Sequence, residues 1–237
     1  MFRTTVSRRR CGSVLVLLAA LAPAAVAPAS TVLVDFDALN ATGGPVSGSL
    51  LDAYLATYGI TVSNVVGSGS PRVANAGTGV FLYPGFFSPP SAPNFLQQSA
   101  SETPSGYRLT FSEPVASVSF TRAAMDPEMS ITGMIAAEWT ARAIGPSGTT
   151  LGQVGEPNYA SYVPVPAATF TFAFPAPGIA ALVIERPVQV VSPTPTTVYS
   201  PAIDNLVLGT PLPEPHGLVA TAAAVALVAA LVRRRKP

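Results

Sequence analysis

Between Ser30 and Leu212 the sequence has no cysteine, no histidine and no lysine. Its single cysteine is Cys11, its single histidine His216 and its single lysine Lys236. The missing cysteines exclude disulfides and thiolate metal centres from the middle of the chain. The missing histidines and lysines remove the usual general bases, and the many serines there have no imidazole to activate them. Neither Gly67-Ser68-Gly69-Ser70 nor Gly145-Pro146-Ser147-Gly148 forms the G-x-S-x-G nucleophile turn. Cations are scarce too: five arginines face eleven carboxylates over Ser30–Leu212, a formal charge of −6. A domain of that charge is soluble and unsuited to nucleic acid or an anionic surface, both of which need clustered cations. No helix-period segment of useful length lies in the same stretch, and no internal repeat.

Turn and strand formers take the place of what is absent. Proline (25) and glycine (19) punctuate the chain, and runs with a period of two fill the intervals. Val32–Phe36 opens the series. Gly59–Val65 follows a segment around Leu50–Tyr58 that suits a helical turn, and Gly79–Tyr83 comes next. Tyr107, Leu109 and Phe111 alternate with Arg108 and Thr110. Val118 and Phe120 alternate with serines. Ala137–Ala143 places Ala137, Trp139, Ala141 and Ala143 on one face, and Phe170, Phe172 and Phe174 repeat the pattern. Ile179–Ile184 is apolar throughout, as a central strand is, and Ala202–Leu208 closes the set. Turns are marked by Gly145-Pro146-Ser147-Gly148, Pro175-Ala176-Pro177-Gly178 and Ser192-Pro193-Thr194-Pro195. Residues 84–106, rich in Pro, Ser and Gly, read as a long surface loop. The pattern predicts an all-β protein, an antiparallel β-sandwich of about eight to ten strands with jelly-roll-like order.

The two ends read as targeting segments. Met1–Arg10 is basic, Val14–Ala27 is an apolar core of signal-peptide length, and Ala27-Pro28-Ala29 offers small residues at −3 and −1. Signal peptidase is expected to cut before Ser30, so residues 1–29 are a signal peptide and 30–209 the exported domain. Residues 210–237 contain Pro213-Glu214-Pro215, an uninterrupted apolar run from Gly217 to Val232, and the basic stop Arg233-Arg234-Arg235-Lys236. As a helix the run spans ~24 Å at 1.5 Å per residue, slightly short of a ~30 Å hydrocarbon layer, a gap that snorkelling arginines and local thinning close. The positive-inside rule keeps the basic stop cytoplasmic and puts the domain outside.

These three parts, in this order, resemble the PEP-CTERM sorting signal. The resemblance covers Pro213–Lys236, about a tenth of the chain, with His216 where the family often has Ser or Thr. It implies recognition by an exosortase and a transmembrane helix that holds an inner-membrane precursor before processing. It also implies delivery to the cell surface or an extracellular matrix, in a Gram-negative host that makes exopolysaccharide. VDFDAL, YGITVSN, YRLTFSEPVASVSFTR, WTARAIGPSGTTLGQ and AIDNLVLG also look like the small β-sandwiches that often precede such tails.

Within the domain, oxygen donors are the best site candidates. Calcium takes six to eight hard oxygens, and in jelly-roll carbohydrate-binding domains the first and last strands commonly share a structural calcium. Here the first strand carries Asp35 and Asp37, two apart and so on one face, and the last carries Asp204 and Asn205. The same acids also read as strand-end caps or solvent-facing groups. Asp35 and Asp37 are in addition the candidate carboxylate pair for an envelope glycan hydrolase, an alternative to a non-catalytic structural or adhesive role associated with exopolysaccharide. Asp126 and Glu128 flank Pro127 in what reads as a solvated loop. Glycan binding would use exposed aromatics as platforms: Tyr83, Phe86 and Phe87 in LYPGFF, and Tyr159 and Tyr162 in NYASY. The expectation is a protein without enzymatic activity and without a required cofactor beyond structural calcium.

Overall fold

Alternating side chains, tight turns and, among the described residues, a single short helix build a two-sheet sandwich. The computed structural model describes residues 30–67, 69–77, 87–98, 104–125, 138–157, 164–174, 178–186 and 201–209, all within the unit Ala29–Pro211. Their elements are β1 (Thr31–Val34), β2 (Val46–Ser47), α1 (Ser49–Ala56), β3 (Ile60–Val66), β4 (Pro71–Asn75), β5 (Phe87–Ser88), β6 (Asn94–Gln98), β7 (Ser105–Val115), β8 (Ser117–Arg122), β9 (Ala124–Met125), β10 (Trp139–Ile144), β11 (Thr150–Glu156), β12 (Ala168–Ala173), β13 (Ile179–Arg186) and β14 (Ile203–Gly209). One sheet runs β12-β8-β14-β6-β4-β2, with β1 also paired to β14. The other runs β11-β10-β13-β7-β3, and β5 and β9 form a small ribbon. Every pairing among these strands is antiparallel.

Register places the predicted apolar faces against each other. Across the first sheet, Arg122, Ile203, Leu96, Val73 and Val46 form one row. Across the second, Ala143, Leu182, Leu109 and Val62 form another. One hydrophobic core joins both sheets, from Val118, Phe120 and Leu206 to Leu109, Leu182 and Ile184. The hairpin of β10 and β11 turns where Gly145-Pro146-Ser147-Gly148 stands, closed by the Gly145 N–H to Thr149 O at 2.8 Å and the Gly148 N–H to Gly145 O at 2.9 Å.

Three sequence readings are corrected. Residues 84–106 are not one loop, because Asn94–Gln98 is β6 and β7 starts at Ser105. All five residues of β6 are buried, and a strand covered on both faces loses the alternation by which strands are read. The helical turn expected around Leu50–Tyr58 is present, as the two-turn helix α1 anchored by buried Leu51 and Leu55. Fourteen strands are found among the described residues, more than the pattern suggested, because β2, β5 and β9 have two residues each. Finally, β1 ends at Val34, so Asp35 and Asp37 do not share a strand face; Phe36 between them has φ 63°. The expected strand at Gly79–Tyr83 and the targeting segments 1–29 and 210–237 lie outside the described residues. Among the described residues no helix is long and apolar enough to cross a membrane.

The two sheets are also tied by charge. Arg122 of β8 reaches Glu156 of β11 through two hydrogen bonds, Nε to Oε2 at 2.7 Å and Nη2 to Oε1 at 2.8 Å. Its Nη1 donates to Ala123 O at 2.8 Å. The Trp139 indole N–H donates to the same Glu156 Oε2 at 2.8 Å. Trp139 packs edge-on against Phe170, with centroids 5.1 Å apart, and against Phe120 at 6.2 Å. Arg122 is 1% exposed, so Glu156 supplies compensation that water does not. Removing one partner of such a pair strands the other and costs about 3–5 kcal/mol. Glu156→Ala is expected to lower stability by that amount in urea unfolding. Glu185→Ala, which breaks the more exposed pair with Arg142, is expected to cost less than about 1 kcal/mol.

Candidate functional site

The site grows from the edge of β14. On one edge β14 pairs with β8, through Ile203↔Arg122 and Asp204↔Thr121 and then Val207↔Ser119. The register shift between Asp204 and Val207 is a bulge, and Asn205 within it has φ 50°, a conformation asparagine tolerates better than most residues. The opposite edge is shared. β6 meets it only at Ile203↔Leu96, and β1 takes Leu206 to Gly209. Between them Asp204 and Asn205 face a notch rather than a strand.

Two short segments fill that notch. Ser91 donates from its N–H to Asp204 Oδ2 at 3.0 Å and from its hydroxyl to the same oxygen at 2.8 Å. The hydroxyl also lies 3.1 Å from Asn205 Oδ1. The turn after β1 supplies the other wall. Asp37 N–H donates to Asp35 Oδ1 at 3.2 Å, and Asp37 Oδ1 accepts the Asn94 N–H at 3.2 Å. The Asn94 side-chain amide donates to Phe36 O at 3.0 Å and Leu39 O at 2.7 Å. Its Oδ1 is buried and has no hydrogen-bond partner among the described residues.

The first and last strands are therefore neighbours, and Asp35, Asp37, Asp204 and Asn205 come to one region. Their electrostatics agree with that placement. Burial, despite the two Ser91 hydrogen bonds, pushes the Asp204 carboxyl up to about 6, and the charge of Asp37 adds to the rise. Asp37 is itself raised, by burial first and by Asp35 in addition. The oxygen donors suit calcium in type, and the orphaned Asn94 Oδ1 is a further hard oxygen beside them. As arranged, no group of three or more Asp, Glu, His or Cys among the described residues is close enough to hold a metal ion.

Two tyrosines complete the region, and sequence reading missed them together with Ser91 and Asn94. Tyr54 lies on α1 and Tyr58 one turn later, their rings edge-on at 5.2 Å and their hydroxyls 3.4 Å apart. Tyr54 also packs near Phe36, at 6.4 Å between centroids. Burial, the Tyr58 hydroxyl and the charge of Asp35 all hold the proton on Tyr54. The available signal was the i, i+4 spacing of the two tyrosines ahead of Gly59, a helix-terminating residue. Of the aromatics singled out from sequence, Phe87 is placed by its backbone in β5. Tyr83, Phe86, Tyr159 and Tyr162 lie outside the described residues, as do Asp126 and Glu128. A separate shallow cleft of about 340 Å³ lies along β10 and β11, lined by Glu138, Thr140, Gln153 and Glu156 among others.

No family model matches the chain, and no curated protein matches it. Solved structures resemble it distantly. The enzymatically active domain of bacteriophage CBA120 tailspike protein 4 is 13% identical with a TM-score of 0.36, over 64% of this chain and 19% of that one. A cyclase from Fischerella sp. TAU is 12% identical with a TM-score of 0.44, over 78% of this chain and 100% of that one. The arabinose-bound MgGH51 α-L-arabinofuranosidase is 14% identical with a TM-score of 0.38, over 76% and 25%. The chain thus spans about a fifth of the tailspike domain's length and a quarter of the arabinofuranosidase's. Likeness this distant assigns neither a family nor an activity.

The raised Asp204 has a thermodynamic consequence. An unfolded aspartate titrates near 3.9, so between about 4 and about 6 the folded protein holds a proton that the unfolded chain has released. Stability from this group is fully present below pH ~4 and is lost as pH rises through ~6. In metal-free buffer, the urea midpoint of the wild type is expected to fall from pH 4.5 to 7.5 relative to that of Asp204→Asn. Parallel midpoints for the two proteins would contradict the buried-acid assignment.

Proposed function

We propose that the chain is an exported, non-catalytic component of a bacterial cell surface or extracellular matrix. Its jelly-roll-like sandwich is delivered through a PEP-CTERM tail and associates with exopolysaccharide in a structural or adhesive role. The observation that carries this reading is the pairing of β1 with β14. The last described strand ends at Gly209, four residues ahead of Pro213, which suits a sorting tail that starts there. The lack of any histidine, lysine or cysteine between Ser30 and Leu212 favours binding over catalysis.

On this reading signal peptidase removes residues 1–29. The helix 217–232 holds the precursor in the inner membrane with Arg233, Arg234, Arg235 and Lys236 inside, and an exosortase processes the chain near Pro213-Glu214-Pro215. Calcium is the structural ion proposed for the notch; Asp35, Asp37, Asp204 and Asn205, which lie in one region but not close enough to form a metal group as arranged, would draw together to hold it, and its part would be to offset the mutual repulsion of the carboxylates.

Two measurements test the proposal. The intact mass of protein recovered from cells and medium is expected to match a start near Ser30 and an end near Pro213. A mass retaining Gly217–Pro237 would mean a standing anchor and would remove the sorting assignment. For the ion, calcium added at pH 7.5 is expected to raise the Tm of the wild type and leave Asp204→Asn unchanged. An equal shift in both, or none in either, would remove calcium from the notch.

A further inference from the structure

We infer that Tyr54, Tyr58, Asp35 and Asp37 form a binding site for a neutral, hydroxyl-rich glycan; the inference rests on the reading of exopolysaccharide association. Its chemistry comes from two kinds of group side by side. Two partly exposed phenol rings stand edge-on, 66° between planes, and aromatic surface of this kind suits the C–H-rich face of a pyranose. Next to them, the turn Asp35-Phe36-Asp37 is brought against α1 by the contact of Phe36 with Tyr54. A carboxylate accepts charge-assisted hydrogen bonds from hydroxyls. Asp35 Oδ1 takes the Asp37 N–H, and no donor among the described residues is seen on its other oxygen. That oxygen, on a half-exposed residue, is available to a ligand.

The ring pair is held before any ligand arrives. Leu51 and Leu55 bury the inner face of α1, and both tyrosines pack against the core while staying partly exposed. The helix ends at Ala56, and Tyr58 sits in the turn that follows, closed by the Tyr58 N–H to Leu55 O and the Gly59 N–H to Ala56 O, both at 3.0 Å. At Gly59 a φ of +68° and a Cβ position only 2.5 Å from Ser112 Oγ leave glycine as the residue that fits. An aromatic pair fixed in this way loses little side-chain entropy on binding. Charge selects the class of glycan. The stretch Ser30–Leu212 carries a formal charge of −6, which disfavours uronate or sulfate chains and leaves neutral ones as the ligand.

The full-length chain in detergent, tested on dextran, laminarin and agarose with alginate as the anionic probe, decides the matter. The wild type is expected to bind at least one neutral polysaccharide and not alginate. Tyr58→Ala and Asp35→Asn are each expected to weaken that binding about tenfold or more, and Tyr58→Phe, which keeps the ring, to retain it. Unchanged Trp139 emission and unfolding midpoint in each variant show that the fold is intact. Wild-type binding to a neutral chain that survives both Tyr58→Ala and Asp35→Asn overturns this site but leaves the polysaccharide association standing. Binding to alginate alone overturns the neutral-glycan assignment, and binding to none of the four overturns both.

Discussion

Strand β14 is the element on which the arrangement of the molecule depends. It pairs with β8 along one edge and divides the other between β1 and β6. That division brings the first and last strands of the domain together. It also leaves a gap in the ladder, in which backbone hydrogen bonding gives way to side chains. A buried segment must satisfy its polar groups somewhere. Here Ser91 and Asn94 do so, and in doing so they draw the β1 turn and the start of β6 onto the same spot. The bulge between Asp204 and Val207 supplies the extra residue that the gap requires.

Much of the sandwich was legible because period-two alternation survives wherever one face of a strand is buried and the other is not. β7, β8, β10 and β12 are of this kind, and β13 was legible as a continuous apolar run. The same criterion fails for β6, buried on both sides and carrying Gln97 and Gln98 where the eye expects valine. It fails for β4, which begins with Pro71, a residue admitted at a strand's first position but read as a breaker. Helix α1, with eight residues, is too short to display a period of its own, and packing of Leu51 and Leu55 rather than propensity makes it a helix.

The candidate site was half legible, for a related reason. Asp35, Asp37, Asp204 and Asn205 could be named because they stand near the ends of elements expected to be adjacent. Ser91 and Asn94 could not, because nothing local marks them, and Tyr54 and Tyr58 carried only their i, i+4 spacing. Ser91 lies 113 residues from Asp204, and only the topology makes them partners. The one-face argument for Asp35 and Asp37 failed because it assumed an extended backbone through Phe36. The positive φ there turns the chain, and the two carboxylates are related by a hydrogen-bonded turn instead.

Among the described residues Arg122, Arg186 and Asp204 are buried charges, and the first and the last of them sit in contrasting surroundings. At Arg122 and Glu156 each charge meets its opposite, the indole N–H and a carbonyl fill remaining positions, and the group joins two sheets. That network is what an interior tolerates: complete, and specific about which strands face each other. At the notch the balance differs. Asp204 is fully buried with hydroxyl and amide donors but no cation among its described hydrogen-bond partners, Asp37 and Asp35 stand nearby with the same sign, and Asn94 Oδ1 has nothing to accept. Two non-glycine residues, Phe36 and Asn205, adopt positive φ around it. Each feature costs stability, even as the Ser91 and Asn94 hydrogen bonds and the bulge help to close the ladder at β14, and such costs are often retained where something relieves or uses them. On the proposed reading, the notch and the tyrosine pair beside it are where an ion and a glycan would use those costs.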